Sequence, residues 1–201
     1  MSKVNLLTTW SPFDYSVESI KESRELNGGK IIMKGILQKS DTLNQNGRIY
    51  PRSILEREIR NYQKFIRENR ALGEWDHPDS SVVELKNASH IIREAHMEGD
   101  VVYGTVELLD TPAGKILQSL VESGVTLGIS SRGVGSTTSQ GGNQVVQDDF
   151  QLICWDFVSE PSTPGAFMMR ESVEVNRRDL NKVFNASDRV YRICNEILDW
   201  E

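Results

Sequence analysis

Cysteine is nearly absent: the 201 residues hold two, Cys154 and Cys194, far apart and without C-x-x-C spacing. That excludes a disulfide framework and a compact thiolate zinc site, and it fits a reducing compartment. Long apolar runs are missing as well. Residues 1–28 carry Asp14, Glu18 and Glu22 where a continuous hydrophobic stretch would be needed, so neither a secretory signal nor a membrane span is expected. Basic runs are also lacking. The 23 Lys and Arg face 29 Asp and Glu, a net charge of −6, which leaves no electrostatic footprint for a nucleic-acid partner. There is no internal repeat and no low-complexity tract. What is there, 38% hydrophobic residues in a chain of this length, suffices for one well-packed domain with tails.

Punctuation divides the chain. Residues 1–28 mix Trp, Pro, Ser and charges without periodicity and end at Asn27-Gly28-Gly29, which reads as a mobile or loosely docked arm. A globular body is expected over 29–168 and a C-terminal segment over 169–201. In the body, 31–37 reads as a strand. Leu55, Ile59, Tyr62 and Ile66 recur at helical spacing behind Pro51, predicting an amphipathic helix over 52–70. Extended runs follow at 89–94 and 101–109. Asp110-Thr111-Pro112 then supplies a cap and first-turn proline for a short helix burying Ile116, Leu117, Leu120 and Val121 before Gly124. Strands are expected over 125–131 and 151–158, with Val145-Val146 pairing to one of them across the polar 136–143 loop. In the C-terminal segment, Val190, Ile193, Cys194 and Ile197 mark a packing or assembly helix. The predicted class is α+β: an antiparallel, barrel-like β core surrounded by helices.

Ser130 is the residue best placed for chemistry. Val125, Leu127 and Ile129 alternate with Thr126, Gly128 and Ser130, so the hydroxyl points away from the apolar face. Gly128 leaves room beside it, and the glycines at 133 and 135 allow backbone N–H groups to turn toward a ligand. A strand ending in a Ser/Gly turn is the plain alternative. A serine nucleophile needs a base. Of three histidines, His77 lies in the carboxylate-rich loop Gly73-Glu74-Trp75-Asp76-His77-Pro78-Asp79-Ser80, whereas His90 and His96 sit in or beside a strand. A third group should orient the imidazole. Asp156, a lone carboxylate in the apolar run Ile153-Cys154-Trp155-Asp156-Phe157-Val158, suits that role, with a structural ion pair to an arginine as its alternative. The cluster Asp76, His77, Asp79, His90 and His96 raises zinc as a competing chemistry, but it matches no compact ligand motif. The glycines lack the Gly-Lys-Ser/Thr ending of a phosphate loop. No cofactor and no metal are expected.

Several segments occur in a telling order: Asn46-Gly47-Arg48-Ile49-Tyr50-Pro51 before a helix, then Leu72-Gly73-Glu74 and His77-Pro78 after it. Gly128-Ile129-Ser130-Ser131-Arg132-Gly133-Val134-Gly135-Ser136 follows, and then Asp156 with Pro161-Ser162. Over residues 30–168 the chain resembles the prohead core proteases of T-even-type tailed phages, which are distantly similar to the herpesvirus assemblins. The resemblance implies an assemblin-like catalytic barrel and a serine endopeptidase acting on scaffold, core and major capsid proteins inside the immature capsid, in the host cytoplasm. It further implies Ser130 as nucleophile and His77 as base, with Asp156 at the comparable place for the third member; the oxyanion donors are expected among the backbone N–H groups of an Arg132-Gly133 loop or of the loop after Asp156. The assemblins use a second histidine in the third place, which leaves Glu74, Asp76 and Asp79 as rivals to Asp156. Cleavage after Glu in an apolar-x-Glu context is implied, with self-cleavage after Glu22 and then Glu171, and a homo-oligomer is expected. The competing class is a non-catalytic assembly or scaffold protein that keeps the fold for docking.

Overall fold

The computed structural model describes residues 5–12 (as backbone), 24–76, 78, 80–125 and 127–158. Its strands are β1 (Asn5–Pro12), β2 (Ile32–Lys39), β3 (Arg48–Ile49), β4 (Leu72–Glu74), β5 (Ala88–Glu98), β6 (Val101–Leu108), β7 (Gly128–Gly135), β8 (Thr137–Gln140), β9 (Asn143–Val146) and β10 (Gln151–Val158); its longer helices are α1 (Arg52–Arg67) and α2 (Pro112–Glu122). They form three sheets, ordered β2-β6-β5-β4, β1-β7-β10 and β3-β9-β8. All pairings are antiparallel except β3 with β9. The first two sheets meet where the chain leaves β4: Trp75 bridges Phe157, and the Asp76 N–H donates to the Phe157 carbonyl at 2.8 Å. The α+β class holds. Among the described residues no ladder closes these sheets into the expected barrel.

Amphipathic patterning explains both helices. α1 turns Ile54, Leu55, Ile59 and Tyr62 inward, against a core that includes Ile91, Trp155 and Phe157. Its one buried carboxylate, Glu58, accepts the Leu152 N–H at 2.8 Å, and Arg57 reaches the Phe150 carbonyl at 2.9 Å. The helix thus pins the start of β10. In α2 the Thr111 side chain caps the Gly114 N–H at 3.0 Å and Pro112 opens the first turn, as the sequence predicts. Leu117 and Val121 are buried, but Ile116 is 41% exposed, so the inward stripe is narrower than expected. Gly124, at φ 76, ends the segment.

Three expectations need correction. Asn5–Pro12 is no loose arm, because it ladders along the whole of β7 from Asn5–Gly135 to Pro12–Gly128. Val145-Val146 pairs within the β8–β9 hairpin, not with β7 or β10, since the Gly141-Gly142 turn at φ 58 and 87 folds the chain back locally. The third concerns β7, which begins later than predicted and runs through Gly135, so Arg132 and Gly133 lie mid-strand and not in a loop. Glycine permits this continuation: a Cβ at Gly133 would stand 2.5 Å from the Phe150 ring. The expected C-terminal helix, Glu22 and Glu171 lie outside the described residues.

Candidate active site

β7 is the middle strand of its sheet, and Ser130 has Trp10 of β1 and Asp156 of β10 as its directly opposed partners. Directly opposed residues project to the same face. Ser131 is opposed to Trp155, in line with Ile129 and Phe157 of the core. The parity read from the sequence therefore holds: Ser130 turns away from the apolar core that Ser131 faces. Both are buried, Ser130 at 1% exposure.

A bulge decides what shares the Ser130 face. The register slips between Leu152 and Cys154, which oppose the consecutive residues Gly133 and Arg132. Simple alternation would set Leu152, Cys154 and Asp156 on one side. With the extra residue Ile153, Leu152 joins the core while Cys154 and Asp156 join Ser130 and Arg132.

The polar side chains on that face form one buried network. Arg132 Nε lies 2.8 Å from Asp156 Oδ2, and Nη2 donates to Asp156 Oδ1 at 3.1 Å and to Glu74 Oε2. Nη1 donates to the Ser80 carbonyl at 2.6 Å. The Glu74 N–H in turn donates to Asp156 Oδ1 at 3.0 Å, and Glu74 Oε1 accepts the Glu84 N–H at 2.9 Å. Arg132, Glu74 and Asp156 are each 0% exposed. Burial opposes the Arg132 charge, but the facing Asp156 and Glu74 carboxylates outweigh it and hold the guanidinium above its ordinary pKa. Burial, reinforced by Asp156, pushes the Cys154 thiol well up, so it stays protonated and donates to Asp156 Oδ1 at 3.3 Å.

Ser130 and Asp156 are thus brought together, and the arginine pairing foreseen as the alternative for Asp156 is present. Of its rivals, Glu74 shares the network and Asp76 is exposed at φ 56. His77 and Asp79 lie outside the described residues, between the fixed points Asp76 and Ser80. The other histidines point elsewhere. His90 is fully buried between the Ser89 hydroxyl and the Trp155 carbonyl, each 2.9 Å away. His96 faces Glu94 and Glu98 at the surface. Among the described residues no His, Cys, Asp and Glu cluster could hold a metal ion. No described helix is long and apolar enough to cross a membrane. Sequence reasoning does not pair Glu74 with Arg132; the available signal is that a buried arginine needs more than one acceptor, and Glu74 lies in the carboxylate-rich loop.

Residues 16–178 match the family described as prohead core protein serine protease. The chain belongs to that family. It is 29% identical over 204 residues to the prohead core protein protease of Enterobacteria phage T4, covering 96% of this chain and 95% of that one. Its fold is similar to the solved structure of the bacteriophage T4 capsid assembly protease, with a TM-score of 0.67 and 25% identity over 79% of this chain and 99% of the other. This family member is therefore a phage protease of prohead and capsid assembly, and the competing reading as a non-catalytic scaffold loses its ground.

Proposed function

We propose that the protein is a serine endopeptidase in which Ser130 attacks the scissile carbonyl and His77 takes the hydroxyl proton, later returning it to the leaving amine. Asp156 supplies the negative charge that favours the imidazolium formed in between. The observation that carries this reading is the direct opposition of Ser130 and Asp156 across β7 and β10. Support for His77 comes from its chain neighbour: the Asp76 N–H is tied to Phe157, the residue after Asp156. The oxyanion donors are backbone N–H groups of the Arg132-Gly133 pair, of which the one directed at β10 lies at the register slip, or of the segment after Asp156. At 1% exposure Ser130 is closed to bulk water, so attack requires a local opening that admits substrate.

The substrates are phage scaffold, core and capsid proteins, cut after Glu in an apolar-x-Glu context within the immature capsid, on an assemblin-like scaffold and in a homo-oligomer. Self-cleavage falls after Glu22 first and Glu171 second. Labelling with a fluorophosphonate tests the chemistry: the wild type takes one adduct, mapped to Ser130, while Ser130→Ala takes none and loses proteolysis by up to about a millionfold, the scale seen when a serine protease loses its nucleophile. An adduct on Ser131, or proteolysis surviving Ser130→Ala, refutes the assignment. Intact-mass analysis of aged wild type beside Ser130→Ala tests the self-cleavage order.

A further inference from the structure

Arg132 is more than a counter-ion. Its planar fork contacts Asp156 on β10, the Glu74 carboxylate at the end of β4, and the Ser80 carbonyl. Glu74 and Ser80 bracket the segment containing His77. A buried guanidinium with fixed donor directions can hold several acceptors in one mutual geometry, which a lysine ammonium on a flexible stem cannot. Glu74 extends the fastening to Glu84, so both sides of the 75–83 loop converge on one side chain two positions from Ser130 on the same strand face.

We propose that Arg132 is a positioning residue that clamps the His77 loop onto the strand pair bearing Ser130 and Asp156. Its guanidinium touches no reacting atom and sets the reach between base and nucleophile. This rests on the reading of His77 as the base. The guanidinium of a ligand-binding arginine would be partly exposed; that of Arg132 is 0% exposed and occupied by protein acceptors, which separates a clamp from a substrate contact.

The test compares wild type with Arg132→Lys, which keeps the charge and loses the fork, and with Glu74→Gln, which keeps the size and loses one anchor. Turnover of a peptide substrate is measured per fluorophosphonate-reactive site, and hydrogen exchange is followed at the Trp75–Ser81 amides. Arg132→Lys is expected to lower kcat per reactive site by about a hundredfold, the scale of a 1 Å misplacement, with KM within about threefold because uniform binding is untouched. Exchange across Trp75–Ser81 should rise at least about tenfold, while β2, β5 and β6 stay protected. A purely structural role would reduce the number of reactive sites and leave kcat per site unchanged. Should the lysine variant not fold, Glu74→Gln is judged by the same readouts. Wild-type turnover per site, or unchanged loop exchange, in a folded variant overturns the clamp. Absence of any Ser130 adduct in the wild type instead overturns the serine-peptidase reading, and the exchange measurement still decides the clamp.

Discussion

Lowering the pH should strain this fold at His90 before it strains most other groups. The His90 ring is fully buried, edge-on to Phe157 with centroids 4.8 Å apart. Its Nε2 faces the Trp155 carbonyl at 2.9 Å, which can only accept, so that nitrogen carries the proton and Nδ1 accepts from Ser89. Burial, partly offset by Asp156 and the Trp155 carbonyl, lowers the pKa from 6.5 to about 4. The unfolded chain takes up its proton near pH 6.5 and the folded protein only near 4, so between these values acid pulls the equilibrium toward unfolding. The cost is absent above 6.5, grows as the pH falls, and is complete at about 3 kcal/mol below 4, at 1.36 kcal/mol per unit. Urea unfolding followed by tryptophan fluorescence at pH 7, 5.5 and 4.5 measures it. His90→Gln can still donate to Trp155 but does not titrate, so its stability should fall by about 2 to 3 kcal/mol less than wild type over that range. Parallel stability curves for the two proteins would refute the reasoning. Activity is expected to rise toward neutrality as His77 loses its proton, so rates below pH 6 need normalising to the folded fraction.

Other substitutions separate the roles in the site. Asp156→Asn should lower turnover by orders of magnitude if the carboxylate orients the histidine, and it should also cost roughly 3 kcal/mol in thermal unfolding because it weakens a buried ion pair; a normal rate on a peptide would transfer the orienting role to Glu74 or to the Asp76–Asp79 stretch. Ser131→Ala should keep full activity and be neutral or about 1 kcal/mol more stable, since its buried hydroxyl has no hydrogen-bond partner among the described residues; a dead enzyme would overturn the strand parity. Gly73→Ala would put a Cβ 2.1 Å from the Trp155 carbonyl and 2.2 Å from the His90 ring, so a loss of about 3 kcal/mol or more and a Tm drop near 10 °C are expected by calorimetry. An unchanged Tm would mean that β4 and β10 can separate freely.

Much of this was legible in the sequence because each signal was local. Leu55, Ile59 and Tyr62 mark the α1 stripe, Thr111-Pro112 marks the start of α2, and the expected 151–158 strand matches β10 residue for residue. The misses are non-local. Asn5–Pro12 lacks a periodic pattern, and only its partner strand reveals it as part of a sheet. The bulge at Ile153 changes parity without a glycine or proline to announce it. Gly133 and Gly135 read as loop residues, yet the Phe150 packing against them is what glycine serves there. At the site, alternation was enough to set Ser130 on the face opposite the apolar core that Ser131 joins. The way Arg132 divides its donors among Asp156, Glu74 and Ser80 depends on three segments meeting, and no single window of sequence contains them.

The pairing of β1 with β7 also sets an order of events in time. Asn5 ladders with Gly135 and Pro12 with Gly128, so β1 has to wait for partners more than a hundred residues further along the chain. Closing so long a loop is entropically unfavourable until the intervening chain has condensed, and topologies rich in such distant pairings fold slowly. The β2–β6–β5 meander, whose partners are closer in sequence, can form while the chain is still emerging from the ribosome. The sheet that carries Ser130 closes last, after β10 has been synthesised. A chain still being synthesised therefore lacks the assembled sheet around Ser130, and that delay is written into the contact order of the fold.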